Sequence, residues 1–198
     1  MIKQEYLDRS MTYGEYLSLL KDLMARNRTT GDNQSEAYLN YARLNLQRML
    51  RLDKTVILTE GLIQALKRVN ESYIWLVLTE GWCGDAAQNL PVFARIEQVC
   101  PNVTLRLALR DENLDVMDQY LTQGSRSIPK LICAETKDLS EVFNWGPRPS
   151  EVQALTMELK KKGTPTDEKA LIIQKWYNAD KTLSVQCELE TLIKEHLK

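Results

Sequence analysis

Residues 80–91 read Glu80-Gly81-Trp82-Cys83-Gly84-Asp85-Ala86-Ala87-Gln88-Asn89-Leu90-Pro91 and join two contrasting sequence patterns. Before them, the run Ile74 to Leu78 is continuously apolar, which is typical of a strand covered on both faces. After Asp85, apolar residues recur at helical spacing until Pro101 ends the segment. Cys83 is therefore predicted on an exposed turn between a strand and a helix, beside unpaired backbone N–H groups. Such a position favours the thiolate, the reactive form of cysteine.

Away from this turn, strand and helix patterns alternate along the chain. Apolar residues alternate with more polar ones from Val103 to Leu109, which predicts a strand with one face less deeply buried. Two further strands are predicted at 131–133 and 142–143, and a closing helix at 151–161. Together with a short helix predicted at 113–121, this order is typical of an α/β fold.

The turn and its surroundings resemble the active-site region of the thioredoxin family. Trp82-Cys83-Gly84 after a buried strand matches the family's active-site turn, and Pro91 matches the proline that kinks the following helix. Ile128-Pro129 stands before a predicted strand, where the family places a cis-proline opposite the nucleophile. Gly146 fits the glycine before the family's final helix. The resemblance implies an α/β, thioredoxin-like fold and a cis bond between Ile128 and Pro129.

The resemblance covers only the middle of the chain. We expect a thioredoxin-like domain at residues 54–162, a helical N-terminal extension at residues 1–53 and a helical C-terminal extension at residues 163–198. The C-terminal extension carries an apolar stripe at helical spacing, so it is expected to pack on the domain or on another subunit.

Three departures from the family pattern affect the expected chemistry. Ala86 occupies the position of the second, resolving cysteine, and Val77 occupies that of the buried carboxylate that assists proton transfer. Asp85 replaces the family's proline. Its charge disfavours the thiolate of Cys83 while the helix terminus favours it, so the sign of the net pKa change stays open. Without a second thiol, Cys83 cannot expel a bound partner by itself.

Two functions are compatible with these residues. In the first, Cys83 is the catalytic residue of a monothiol (CxxA-type) site for thiol–disulfide exchange on protein or peptide disulfides. Glutathione or another low-molecular-weight thiol would then complete the cycle as co-substrate, with no other cofactor. In the second, the same groove is a non-catalytic binding module for peptides or protein partners. A peroxide-reducing site is set aside because its usual Thr/Ser-x-x-Cys pattern is absent. The residues expected to bind the substrate are Trp82, Gly84, Asp85, Ile128 and Pro129.

The composition of the chain bears on its possible partners, its location and metal binding. The chain has 26 Lys and Arg against 27 Asp and Glu, a formal net charge of -1, so no field of one sign is available to hold nucleic acid or an anionic membrane. No cationic start is followed by an apolar stretch, which predicts a cytoplasmic location. The four cysteines, at positions 83, 100, 133 and 187, show no CxxC spacing, so no metal site is expected.

Overall fold

Strand β1 (Tyr73–Thr79) is one of the two inner strands of a four-stranded sheet, and all of its residues except Ile74 are buried. In the computed structural model, which describes residues 2–198, the other strands are β2 (Val103–Leu109), β3 (Lys130–Glu135) and β4 (Glu141–Trp145). They stand in the order β2-β1-β3-β4. Strand β2 is parallel to β1, whereas β3 is antiparallel to β1 and β4 is antiparallel to β3. The predicted α/β class is confirmed.

Helices cover the sheet and extend beyond it at both ends of the chain. In chain order they are α1 (Gln4–Asp8), α2 (Tyr13–Ala25), α3 (Glu36–Thr55), α4 (Glu60–Leu66), α5 (Gly84–Val99), α6 (Leu114–Met117), α7 (Ser150–Lys161), α8 (Thr166–Asp180) and α9 (Leu183–His196), with a 3₁₀ turn at Arg110–Glu112. None of the helices among residues 2–198 is both long and apolar enough to cross a membrane.

Helix α5 connects β1 to β2 and carries the site-forming turn at its start. Cys83 is the N-cap residue of this helix, and Pro91 lies inside it. Because proline has no N–H, Pro91 removes one bond from the helical ladder, as the resemblance predicted. The middle of α5 is buried on all sides, and the polar side chains of Gln88 and Asn89 are therefore buried there together with its apolar residues.

Both helical extensions pack on the sheet-containing core. In α3, the buried residues Ala42, Asn45, Met49 and Leu52 recur at helical spacing, and this face lies against α5. In α9, the apolar residues Val185, Leu189 and Ile193 are buried against α4, α5 and β4. The apolar face of α9 is therefore buried within the same chain.

Two cis peptide bonds shape the backbone opposite Cys83. The Ile128–Pro129 bond is cis, the geometry expected from the sequence, and so is the Gly146–Pro147 bond, which the sequence did not indicate. Gly146 has a φ of +114°, and a Cβ at this position would collide with the carbonyl oxygen of Pro129. The two proline-containing segments thus lie in direct contact, and only glycine fits at their crossing.

Candidate active site

The Cys83 thiol lies between the start of α5 and the segment before Pro129. Its Sγ donates a hydrogen bond to the carbonyl oxygen of Ile128 at 3.2 Å and accepts one from the N–H of Ala86 at 3.4 Å. The second contact is a side-chain cap of the helix, which satisfies one of the N–H groups that a helix start leaves unpaired. The turn and the cis-proline segment therefore lie together, as the resemblance implied.

The prediction that Cys83 lies exposed on its turn is wrong. Its side chain is 7% exposed, because residues from both helical extensions close over the turn. Burial, followed by the like charge of Asp85, raises the pKa of the Cys83 thiol to about 12, against the smaller opposing effects of the Ala86 N–H and the Arg148 guanidinium. The pKa change left open by the sequence is therefore upward, and at neutral pH Cys83 is a thiol.

A compact polar cluster holds Asp85 beside Cys83. The Asp85 carboxylate forms an ion pair with Arg148, and its Oδ1 accepts a hydrogen bond from the Tyr177 hydroxyl at 2.8 Å. The side-chain amide of Asn89 donates to the Asp85 carbonyl at 2.8 Å and contacts the Tyr177 hydroxyl at 3.4 Å. Proximity to Asp85 also keeps the pKa of Arg148 above its ordinary value despite burial. Asp85 is thus fixed by Arg148, which precedes α7, and by Tyr177 of the C-terminal extension.

A cavity of about 680 Å³ opens directly onto Cys83. Helix α3 forms one wall and α8 the other, while the turn at 82–85 and the segment at 126–128 line its inner end. Of the residues predicted to bind substrate, four line this cavity and Pro129 does not: Trp82, Gly84, Asp85 and Ile128. The volume lies within the range of about 300–1,000 Å³ typical of small-molecule sites.

Trp82 forms a rigid part of the cavity wall. Its ring centroid lies 5.2 Å from that of Tyr38 on α3. The Arg110 guanidinium carbon lies 4.9 Å from the centroid of the Trp82 ring. Aromatic and cation–π contacts of this kind fix a side chain in one orientation. Trp82 is therefore held as a cavity-lining platform.

Hydrogen bonds hold residues 80 and 81, just before Cys83, and they come from residues that the sequence did not single out. The Gly81 N–H donates to the Thr30 hydroxyl at 2.8 Å, and the Gly81 carbonyl accepts from the buried Asn45 side chain at 3.1 Å. Glu80 is also buried, which raises its pKa, and its Oε1 accepts the Asp111 N–H at 2.9 Å. A buried carboxyl group thus lies three residues before Cys83, although Val77 stands at the family's carboxylate position.

The other three cysteines lie away from the cavity. Cys100 is buried beyond the end of α5, where its Sγ contacts the Leu66 carbonyl, and Cys133 is buried in β3. Cys187 is exposed on α9. All four are free thiols, and the cavity wall contains Cys83 alone among them. Among residues 2–198, no group of three or more His, Cys, Asp or Glu side chains could hold a metal ion.

Exposure and pKa together predict the order in which these thiols react. Under native conditions, we expect iodoacetamide to label Cys187 at least about tenfold faster than Cys83, because burial suppresses both the access to Cys83 and its thiolate. Peptide mapping after brief labelling measures both rates, and labelling in denaturant, where all four thiols are accessible, is the control. Faster native labelling of Cys83 would show that α3 and α8 do not cover it in solution.

Comparison with known proteins shows the family to which this chain belongs. The family model described as Thioredoxin matches residues 31–162, which is more than half of the chain. A search of curated proteins finds no match. Two solved structures share the fold at 16% identity each. A protein of unknown function from Pseudomonas aeruginosa has a TM-score of 0.65 with 98% of both chains covered, and an HIV epitope-scaffold has a TM-score of 0.57 with 93% of this chain and 99% of its own covered.

Proposed function

The chain belongs to the thioredoxin family, and from this premise we propose that Cys83 is a monothiol site for thiol–disulfide exchange inside the cavity. One observation carries the proposal. The Cys83 Sγ lies 3.2 Å from the carbonyl oxygen that precedes the cis-proline and at the inner end of a cavity large enough for a small disulfide. Trp82, Gly84 and Ile128 would flank the bound sulfur.

The exchange takes place in two balanced steps. The Cys83 thiolate attacks one sulfur of the ligand disulfide, which forms a mixed disulfide and releases the other sulfur as a thiol that takes up the proton lost by Cys83. An external thiol such as glutathione then attacks the ligand sulfur of the mixed disulfide. The two sulfurs leave as a new disulfide, and the proton of the external thiol returns to Cys83. The external thiol is needed because Ala86, which is 1% exposed and apolar, cannot perform the second step.

A protein or peptide partner, as expected from the sequence, can react with Cys83 only if its disulfide fits into the cavity. A protein or peptide disulfide would have to enter between α3 and α8 to reach Cys83, so small disulfides and flexible segments are the favoured substrates. A reducing compartment such as the cytoplasm would supply the external thiol, and we propose the cytoplasm as the location of the protein.

A second candidate function is supported by the state of the thiol. With a pKa of about 12 and an exposed fraction of 7%, Cys83 can also serve as a buried hydrogen-bond donor to Ile128. The cavity would then bind a ligand without chemistry, as a binding module.

Turnover of bis(2-hydroxyethyl) disulfide by glutathione, followed by coupled NADPH oxidation with glutathione reductase, tests the exchange function. We expect Cys83→Ser to reduce the protein-dependent rate to the uncatalysed rate, because serine removes the nucleophile but keeps a hydroxyl donor for Ile128. Cys187→Ser is the matched control and should retain the wild-type rate. Equal rates for wild type and Cys83→Ser would refute the exchange function, and a wild-type protein without turnover would leave the binding module as the better assignment.

A further inference from the structure

Two cations on opposite walls of the cavity have no carboxylate partner among residues 2–198. Arg48 reaches in from α3 and Lys169 from α8, and neither takes part in an ion pair there. The only hydrogen bond that Arg48 donates within this part of the chain goes to the neutral Asn45 side chain, at 2.8 Å. The guanidinium is half-buried, so part of its hydration is lost without a compensating charge.

The other three cations that line the cavity are already neutralised. Arg110 pairs with Asp111, Arg126 with Asp118, and Arg148 with Asp85. Their charges therefore contribute little to a new ligand.

The remaining charges favour an anion. The cavity wall has one other charged group that is not in an ion pair, the carboxylate of Asp167. This carboxylate accepts a hydrogen bond from the Tyr41 hydroxyl at 3.1 Å. The unpaired charges of the cavity thus sum to one positive charge. Because Arg48 Nη1 comes within 4.0 Å of the Cβ position at Gly84, this charge acts next to the reactive turn.

We propose that the cavity selects low-molecular-weight thiols and disulfides that carry carboxylates, with Arg48 binding one carboxylate and Lys169 another. The inference rests on the proposed exchange function for the sulfur of the ligand. The volume of about 680 Å³ suits a molecule of this size, and the Tyr38–Trp82 wall gives its apolar part a surface to contact. Carboxylate recognition by a guanidinium is charge-assisted and geometrically specific.

Calorimetric titration of Cys83→Ser with S-methylglutathione, and with its diethyl ester, tests the carboxylate preference without any chemistry. We expect the acid to bind about tenfold or more tightly than the ester, and its affinity to fall as salt is added, because each charge-assisted bond contributes a substantial share of the affinity.

Charge-neutralising variants test the two residues. In the Cys83→Ser background, Arg48→Gln and Lys169→Gln should each weaken binding of the acid about tenfold and leave binding of the ester unchanged. Lys54→Gln on α3 and Lys175→Gln on α8, both exposed and outside the cavity, are matched controls that should bind as the parent does.

The outcomes separate this inference from the exchange function. Equal affinity for acid and ester, or binding of neither, overturns the carboxylate preference even where wild type turns over neutral disulfides. If the acid binds more tightly than the ester but Arg48→Gln and Lys169→Gln bind it as the parent does, the assignment of these two residues is overturned. Charge-dependent binding that needs both, in a protein without turnover, supports the carboxylate site and refutes the exchange function alone.

Discussion

Replacing Asp85 by asparagine should make Cys83 react with iodoacetamide about ten- to a thousandfold faster at neutral pH, because a neighbouring charge moves a pKa by about 1 to 3 pH units. Asp85 is the second cause of the raised pKa of Cys83, after burial. Its removal also leaves the Arg148 cation uncompensated beside the sulfur, which further favours the thiolate. The measurement is peptide mapping of the alkylated protein in a Cys187→Ser background, which removes the exposed thiol.

The matched control for this prediction is Arg148→Gln. Both variants break the same buried ion pair, and each should therefore lower the free energy of unfolding by roughly 3 kcal/mol or more. They differ in the charge left beside Cys83, so Arg148→Gln should react no faster than wild type. Equal acceleration in both would show that the pair restricts access to the thiol and does not set its pKa.

The pH dependence of the reaction separates the two explanations further. A thiol reacts in proportion to its thiolate fraction, which rises tenfold per pH unit below the pKa and levels off above it. With a pKa of about 12, the wild-type rate should still be rising above pH 10, as far as the protein stays folded. Since Asp85→Asn lowers the pKa, its rate should level off at a lower pH.

Replacing Gly146 by alanine should cost about 3 kcal/mol or more of the free energy of unfolding, the sum of an overpacked contact and a left-handed backbone. The added Cβ would collide with the Pro129 carbonyl oxygen, which belongs to backbone and cannot move aside as a flexible side chain does. Urea denaturation followed by circular dichroism measures the loss, and retention of β-sheet signal shows whether the variant folds.

Gly163→Ala is the matched control for the Gly146 prediction. Gly163 also has a positive φ, of +68°, but a Cβ there would meet nothing within 4 Å. This variant should therefore lose only about 1 kcal/mol, the cost of the left-handed conformation itself. Equal losses at the two positions would contradict the collision, and with it the tight contact between the two proline-containing segments.

The parts of the fold that follow from local sequence patterns could be predicted. The apolar run at 74–78 gives β1, the alternation at 103–109 gives β2, and the resemblance located Pro91 within α5 and the cis bond before Pro129. The turn at 82–85 could be predicted for the same reason, whereas the segment at 126–128 was located by the resemblance alone. Strand ends and helix starts that are close in sequence stay close in space.

The walls of the site could not be predicted, because they depend on how distant helices dock. Arg48 and Tyr38 lie on a helix that precedes β1, and Tyr177 lies 94 positions after Cys83 (177 − 83), so no spacing rule connects them to the turn. The burial of Cys83 was missed for this reason. Arg148 likewise pairs with Asp85, which lies 63 positions earlier in the chain. A charge pattern alone does not reveal such a pairing.

The position of Tyr177 has a consequence for synthesis of the chain on the ribosome. Growth at about 5–20 residues per second separates Cys83 from Tyr177, 94 positions later, by roughly 5 to 19 s. Throughout this interval the α8 wall is incomplete, and neither the Tyr177 bond to Asp85 nor the full cover over the thiol can form. The nascent protein therefore passes through a stage in which Cys83 is more accessible to oxidants and to other thiols than it is in the finished molecule.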